Sequence, residues 1–161
     1  VSDGRISILA TDHAPHTWEE KQGTYFHAPS GLPLIQHSLL LMLEMCEQKC
    51  FTIETVVERA CHAPARLFQV EERGYLREGY WADIVLVAPS RNTSVKNTEL
   101  LSKCQWSPFP HMTFTNSVDT TIVSGKIAYQ QGKIIPAVGV SGWNLVSKED
   151  SSPENIVFPK V

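Results

Sequence analysis

One stretch of this sequence brings residues suited to chemistry close together: ATDHAPH, at residues 10–16. A carboxylate, Asp12, is followed by two imidazoles, His13 and His16. A carboxylate in such a place can bind a divalent metal through oxygen. It can also carry a proton between a water and a leaving group. Asp12 directly follows ISILAT, residues 6–11, an almost wholly apolar run. Runs of that kind suit a strand covered on both faces, as in parallel α/β sheets. In those folds, the β/α barrel included, ligands bind where strands end and loops begin. An Asp before His and Pro is also good turn chemistry, its side chain capping backbone N–H groups. Spacing alone leaves both readings open. His13 and His16 form neither an HExxH helical pair nor an HxH pair.

The elements that must position these residues can be read from periodicity. Residues 12–30 are polar and turn-rich, without sustained periodicity, and read as a long loop, of the kind that is usually functional or disordered. After Gly31, the residues Ile35, Leu39, Met42, Leu43, Cys46 and Cys50 recur at helical spacing, with His37, Glu44 and Gln48 on the other side. Leu40 and Leu41 widen the apolar face, which predicts a well-buried helix. Thr52 reads as the N-cap of a second helix, with Ile53, Val56, Val57, Ala60 and Cys61 on one face and Glu54 and Glu58 outward. A short third helix is expected over residues 63–68, with Pro64 tolerated in its first turn. The character changes near Gly74. ADIVLV, residues 82–87, predicts a strand. Residues 121–123 and 127–129 about Ser124-Gly125 predict a hairpin, and Gln131-Gly132 before Ile134-Ile135 a further turn and strand. SKEDSSPEN, residues 147–155, reads as a solvated tail.

The bulk composition excludes several classes. The chain has 161 residues, a formal net charge of −3 and 42% hydrophobic residues, so one sizeable core is expected. There is no basic stripe for nucleic acid, no apolar run long enough for a membrane span and no secretory signal. The four cysteines, Cys46, Cys50, Cys61 and Cys104, form no CxxC pair. They read as small buried hydrophobes in a reducing cytoplasm.

These residues also carry a resemblance. ATDHAPHTWEEK at residues 10–21 and APSGLP at 28–33 resemble the dihydroorotase family, most closely the branch that includes monofunctional bacterial enzymes. CHAPARLF at 61–68 is similar to the family's NPAxxF helix, with His62 where Asn is usual. GYLREGYWADIVLV at 74–87, CQWSPF at 104–109 and TIVSGKIAY at 121–129 resemble later family segments. The similarity covers about residues 3 to 136. The first motif is specific, whereas ADIVLV-type segments are shared by many amidohydrolases.

The resemblance implies an α/β fold: the C-terminal part of a (β/α)8 barrel, contributing its last strand and helices, followed by strands of a small β-sandwich. The implied division is residues 1–73 for the barrel part, 74–140 for the sandwich strands and 141–161 for a tail. The implied reaction is the reversible cyclisation of N-carbamoyl-L-aspartate to dihydroorotate in pyrimidine biosynthesis, in the cytoplasm, on a binuclear zinc centre. Asp12 matches the family's metal-ligating and proton-shuttling Asp. His16 matches the His that contacts the substrate carboxylate, and Pro29, Ser30 and Gly31 match the loop lying against the substrate. His13 is expected to play a supporting role. Lys21 is expected to fix the loop through a salt bridge, Glu19 and Glu20 to be solvated, and Asp83 to hold the start of its strand.

The family's metal cage also needs an HxH, a carboxylated Lys and two further His. No HxH occurs in these 161 residues. The chain alone is therefore expected to be inactive, with the missing strands upstream in a longer chain. Three alternatives accompany this reading: a hydantoinase or allantoinase, a metal-free dihydroorotase-like partner, for example of aspartate carbamoyltransferase, and a small independent β-rich binding domain. A homo-oligomer is a further expectation.

Overall fold

A computed structural model describes residues 1–135. The predicted tail at 147–155 and the end of the 74–140 division lie outside the described residues. Among the described residues, four α-helices precede or pack beside two β-sheets. Helix α1 spans Trp18–Lys21, α2 Ser38–Glu47, α3 Ile53–Val57 and α4 Ala63–Leu67. The strands are β1 Ile84–Ala88, β2 Thr93–Ser94, β3 Thr113–Phe114, β4 Ser117–Val123, β5 Lys126–Gln130 and β6 Lys133–Ile134.

The helix expected directly after Gly31 begins later, at Ser38, and its core contacts come from Leu40 and Leu43. Ile35 stays exposed. His37, expected on the polar side, is instead only 4% exposed. The helix starts one residue after it, so the ring is free of the helical face and turns inward to stack on Phe114, with centroids 5.9 Å apart. Thr52 caps α3 as expected, its hydroxyl accepting from the Thr55 N–H.

The second and third predicted helices are joined. A π-helical turn, Glu58–His62, links α3 to α4, and the Ala63 N–H donates five residues back to the Glu58 carbonyl. Pro64 has no N–H to offer and sits in the first turn of α4, so the widened turn absorbs its effect on the ladder.

The main sheet has the order β1-β4-β5-β6, and all its pairs are antiparallel. Both tight turns put two residues at positive φ: Ser124 (50°) with Gly125 (79°), and Gln131 (47°) with Gly132 (87°). That is the geometry whose twist matches paired antiparallel strands. β2 and β3 form a separate two-stranded ladder. Asp83 anchors the start of β1. One carboxylate oxygen accepts from the Ser124 N–H at 2.7 Å and the other pairs with the buried Arg73, which lies over the Trp81 ring.

A small core ties helices to sheet. Leu40 of α2, Val95 and the fully buried Phe114 of β3 form it, with Leu41, Leu100, Phe109, Met112 and Val118 packed around. The predicted strand over residues 6–11 is not formed. A strand exists only by pairing, and among the described residues nothing runs alongside this segment. Its ties are the Leu9 N–H to the Arg59 carbonyl at 3.0 Å and the Arg59 guanidinium to the Ser7 carbonyl.

Candidate functional site

The loop begins at Asp12, whose φ of 44° lies in the left-handed region. Asp is one of the few non-glycine residues that tolerate it. Asp12 is exposed. Its carboxylate accepts no hydrogen bond and joins no ion pair among the described residues, so it does not cap the turn.

The next residues are held by a single parallel bridge between His13 and Leu32. The Ala14 N–H donates to the Leu32 carbonyl at 3.1 Å. The His13 Nδ1 accepts from the Ile35 N–H at 3.3 Å, so the ring serves loop structure. Gly31 is required where these two arms meet. Its φ is 97°, and a Cβ there would stand 2.4 Å from the Ala14 Cβ.

His16 lies directly before α1. Thr17 and Glu20 make a capping box, with the Thr17 N–H donating to Glu20 Oε2 at 2.8 Å. The same oxygen lies 3.3 Å from His16 Nδ1. The Thr17 N–H, followed by His16, holds the Glu20 carboxyl below the usual carboxylate range. Glu20 is exposed, as expected, and it also braces the loop, because the capping box folds its carboxylate back toward Thr17 and His16. His16 Nε2 is left as the ring's second hydrogen-bonding atom.

Lys21, the last residue of α1, reaches across the loop. Its ammonium donates to the Pro29 carbonyl at 2.6 Å and the Gly31 carbonyl at 3.1 Å. It fixes the loop as anticipated, but through carbonyls and not through a salt bridge. Pro29 and Gly31 are partly buried and Ser30 is exposed. A further tie comes from the far end of the chain. The Trp106 indole N–H donates to the His16 carbonyl at 2.7 Å, and its ring meets Trp18 edge-on at 5.7 Å. Residue-by-residue reading did not place Trp106 here; the one available signal was the similarity of CQWSPF to a family segment.

The structure therefore gathers Asp12, His16 and the 29–31 arc into one loop system. An open cavity of about 560 Å³ lies behind it, lined by His13, Ile35, His37, Leu40 and Trp106 among others, but by neither Asp12 nor His16. Among the described residues, no three His, Cys, Asp or Glu side chains come together to hold a metal ion. Asp12 does not by itself make the metal centre that the resemblance implies.

Residues 1–128 match the model of the amidohydrolase family. The chain belongs to the amidohydrolase family. Members of this family of hydrolases generally bind metal. Among similar amidohydrolases is the dihydroorotase of Clostridium acetobutylicum, 37% identical over 131 residues, covering 81% of this chain and 31% of that protein. The dihydroorotase of Halobacterium salinarum is 38% identical over 109 residues, covering 68% of this chain and 26% of that protein. The chain thus spans less than a third of the length of these relatives. Among solved structures, the L-hydantoinase (dihydropyrimidinase) from Arthrobacter aurescens superposes with a TM-score of 0.78 at 28% identity, covering 83% of this chain and 31% of that one.

Proposed function

We propose that this amidohydrolase chain is the C-terminal part of a dihydroorotase, interconverting N-carbamoyl-L-aspartate and dihydroorotate. The observation that carries the reading is the Asp12 carboxylate, exposed and unspent at the end of the apolar run. A turn-capping Asp would commit its oxygens to backbone N–H groups. This one keeps both for water and substrate. In ring opening, water adds to the ring carbonyl, Asp12 takes its proton, and the proton returns to the leaving ring nitrogen. Cyclisation runs the same steps backward. His16, braced at Nδ1 by Glu20, offers Nε2 to the substrate carboxylate. Pro29, Ser30 and Gly31 lie against the ring, where small side chains let backbone groups approach. Support comes from identities of 37% and 38% to dihydroorotases.

In this reading, residues 1–73 close a (β/α)8 barrel and residues 74–140 belong to a β-sandwich. A zinc pair would draw its other ligands from outside this chain. The test is Asp12→Asn in the complete enzyme carrying this chain. Asn tolerates positive φ, so the loop should persist while kcat on dihydroorotate falls about 100- to 10,000-fold. Undiminished turnover would defeat the reading. Residues 1–161 alone should neither turn over dihydroorotate nor hold stoichiometric zinc.

The hydantoinase likeness gives one alternative a foothold, and His16 separates the two. His16→Ala should weaken use of a carboxylate-bearing ring while leaving metal content intact. Full activity on a neutral hydantoin would favour the alternative.

A further inference from the structure

We infer that Lys21 is the positioning residue for substrate charge: it aims the Ser30 N–H and supplies an uncompensated positive charge beside the loop. This rests on the dihydroorotase reading above. Three observations combine. The Lys21 ammonium is partly buried, and among the described residues its hydrogen bonds go only to the Pro29 and Gly31 carbonyls. No carboxylate pairs with it there. The adjacent Glu20 turns one carboxylate oxygen, Oε2, to the Thr17 N–H and His16 and makes no ion pair with Lys21.

The second observation concerns the peptide unit. The Pro29 carbonyl belongs to the same planar group as the Ser30 N–H. A charged donor 2.6 Å from that oxygen fixes the plane and polarises the N–H on its far side. The third is that the Ser30 N–H donates to nothing among the described residues, while Ser30 is exposed. An open donor, polarised by a cation across the same peptide group, fits an anionic ligand and gives little advantage to a neutral one. Lys21 thereby separates a carboxylate-bearing ring from the same ring without its carboxylate.

The experiment measures, in the complete enzyme, KM and kcat for dihydroorotate and Ki for uncharged dihydrouracil. Lys21→Met should raise KM for dihydroorotate about tenfold. kcat should stay within about twofold and the dihydrouracil Ki within about twofold. Lys21→Arg, which keeps the charge, should stay within about threefold of wild type. KM of the wild type should rise with ionic strength, and that dependence should be reduced in the methionine variant. If both ligands weaken together in Lys21→Met, or if KM is unchanged, the inference is overturned. A wild type that opens dihydrouracil and rejects dihydroorotate would instead bring down the dihydroorotase reading itself. The salt dependence of the unmodified enzyme needs no variant to fold: a KM indifferent to salt counts against Lys21 on its own.

Discussion

Between residues 117 and 134 the backbone satisfies itself. Three strands pair through two tight turns, with one register shift between Thr121 and Ile122, and side chains need only match the pleat. Between residues 12 and 31 the backbone has one isolated bridge, a single turn of helix and one turn closed on the Thr24 carbonyl. There the work falls to side chains: Lys21 on two carbonyls, Glu20 on His16, and Trp106 on the His16 carbonyl. The hairpins can change many side chains and keep their path. The loop cannot, because its path is written in a few polar atoms. A carboxylate that must stay unspent is easier to keep in a segment whose backbone is tied elsewhere.

The sharpest way to test this contrast is to remove the core that ties α2 to the strands. Phe114→Ala should cost about 3–5 kcal/mol of stability, read as a lowered urea midpoint. If the loop depended on the core as the sheet does, substrate KM under native conditions would rise too. The contrast predicts that it does not. Gly31→Ala tests the loop's own geometry. The Cβ clash with Ala14 and the positive φ should cost about 1–3 kcal/mol locally. That should appear as a raised KM with little change in the hairpins' amide-exchange protection.

Trp106→Phe keeps an aromatic ring, though a smaller one, and deletes the N–H. Losing one hydrogen bond should cost about 1 kcal/mol, a several-fold rise in KM for the proposed substrate, dihydroorotate, with metal content unchanged. The smallest effect concerns His37. Burial lowers its affinity for a proton below the ordinary value of 6.5. Its pKa is depressed in the fold, so the unfolded chain binds the proton more readily. Stability is therefore complete above that ordinary value and declines as pH falls below it, toward the folded pKa. His37→Phe should flatten that decline in urea midpoints measured across mildly acidic pH, leaving the loop's behaviour alone.

What could be read from residues alone follows the same division. The Thr52 cap, the Ser124-Gly125 turn and the Gln131-Gly132 turn depend on neighbours a few positions away, and each sits where local chemistry puts it. The run at residues 6–11 has strand character but no ladder, since pairing is supplied by other segments and not by composition. His37 was misplaced because helical spacing assumes the helix has already begun. The left-handed backbone at Asp12 and its unspent oxygens could not be deduced from spacing, which left turn capping open. Glu20 is solvated as its type suggests, but its bracing role is hidden, because a capping box is visible as Thr-x-x-Glu only when the helix start is known. Lys21 was recognisable as a loop anchor, yet not its choice of carbonyls.

The indole on the His16 carbonyl ties two segments 90 positions apart. A ribosome therefore emits Asp12, His16 and the whole 29–31 arc long before it emits the residue that steadies them. During synthesis the reactive loop exists first without its clasp, and it acquires a settled shape only as the later strands take their places. Order of assembly, as much as the finished contacts, would then decide when such an enzyme first recognises its substrate.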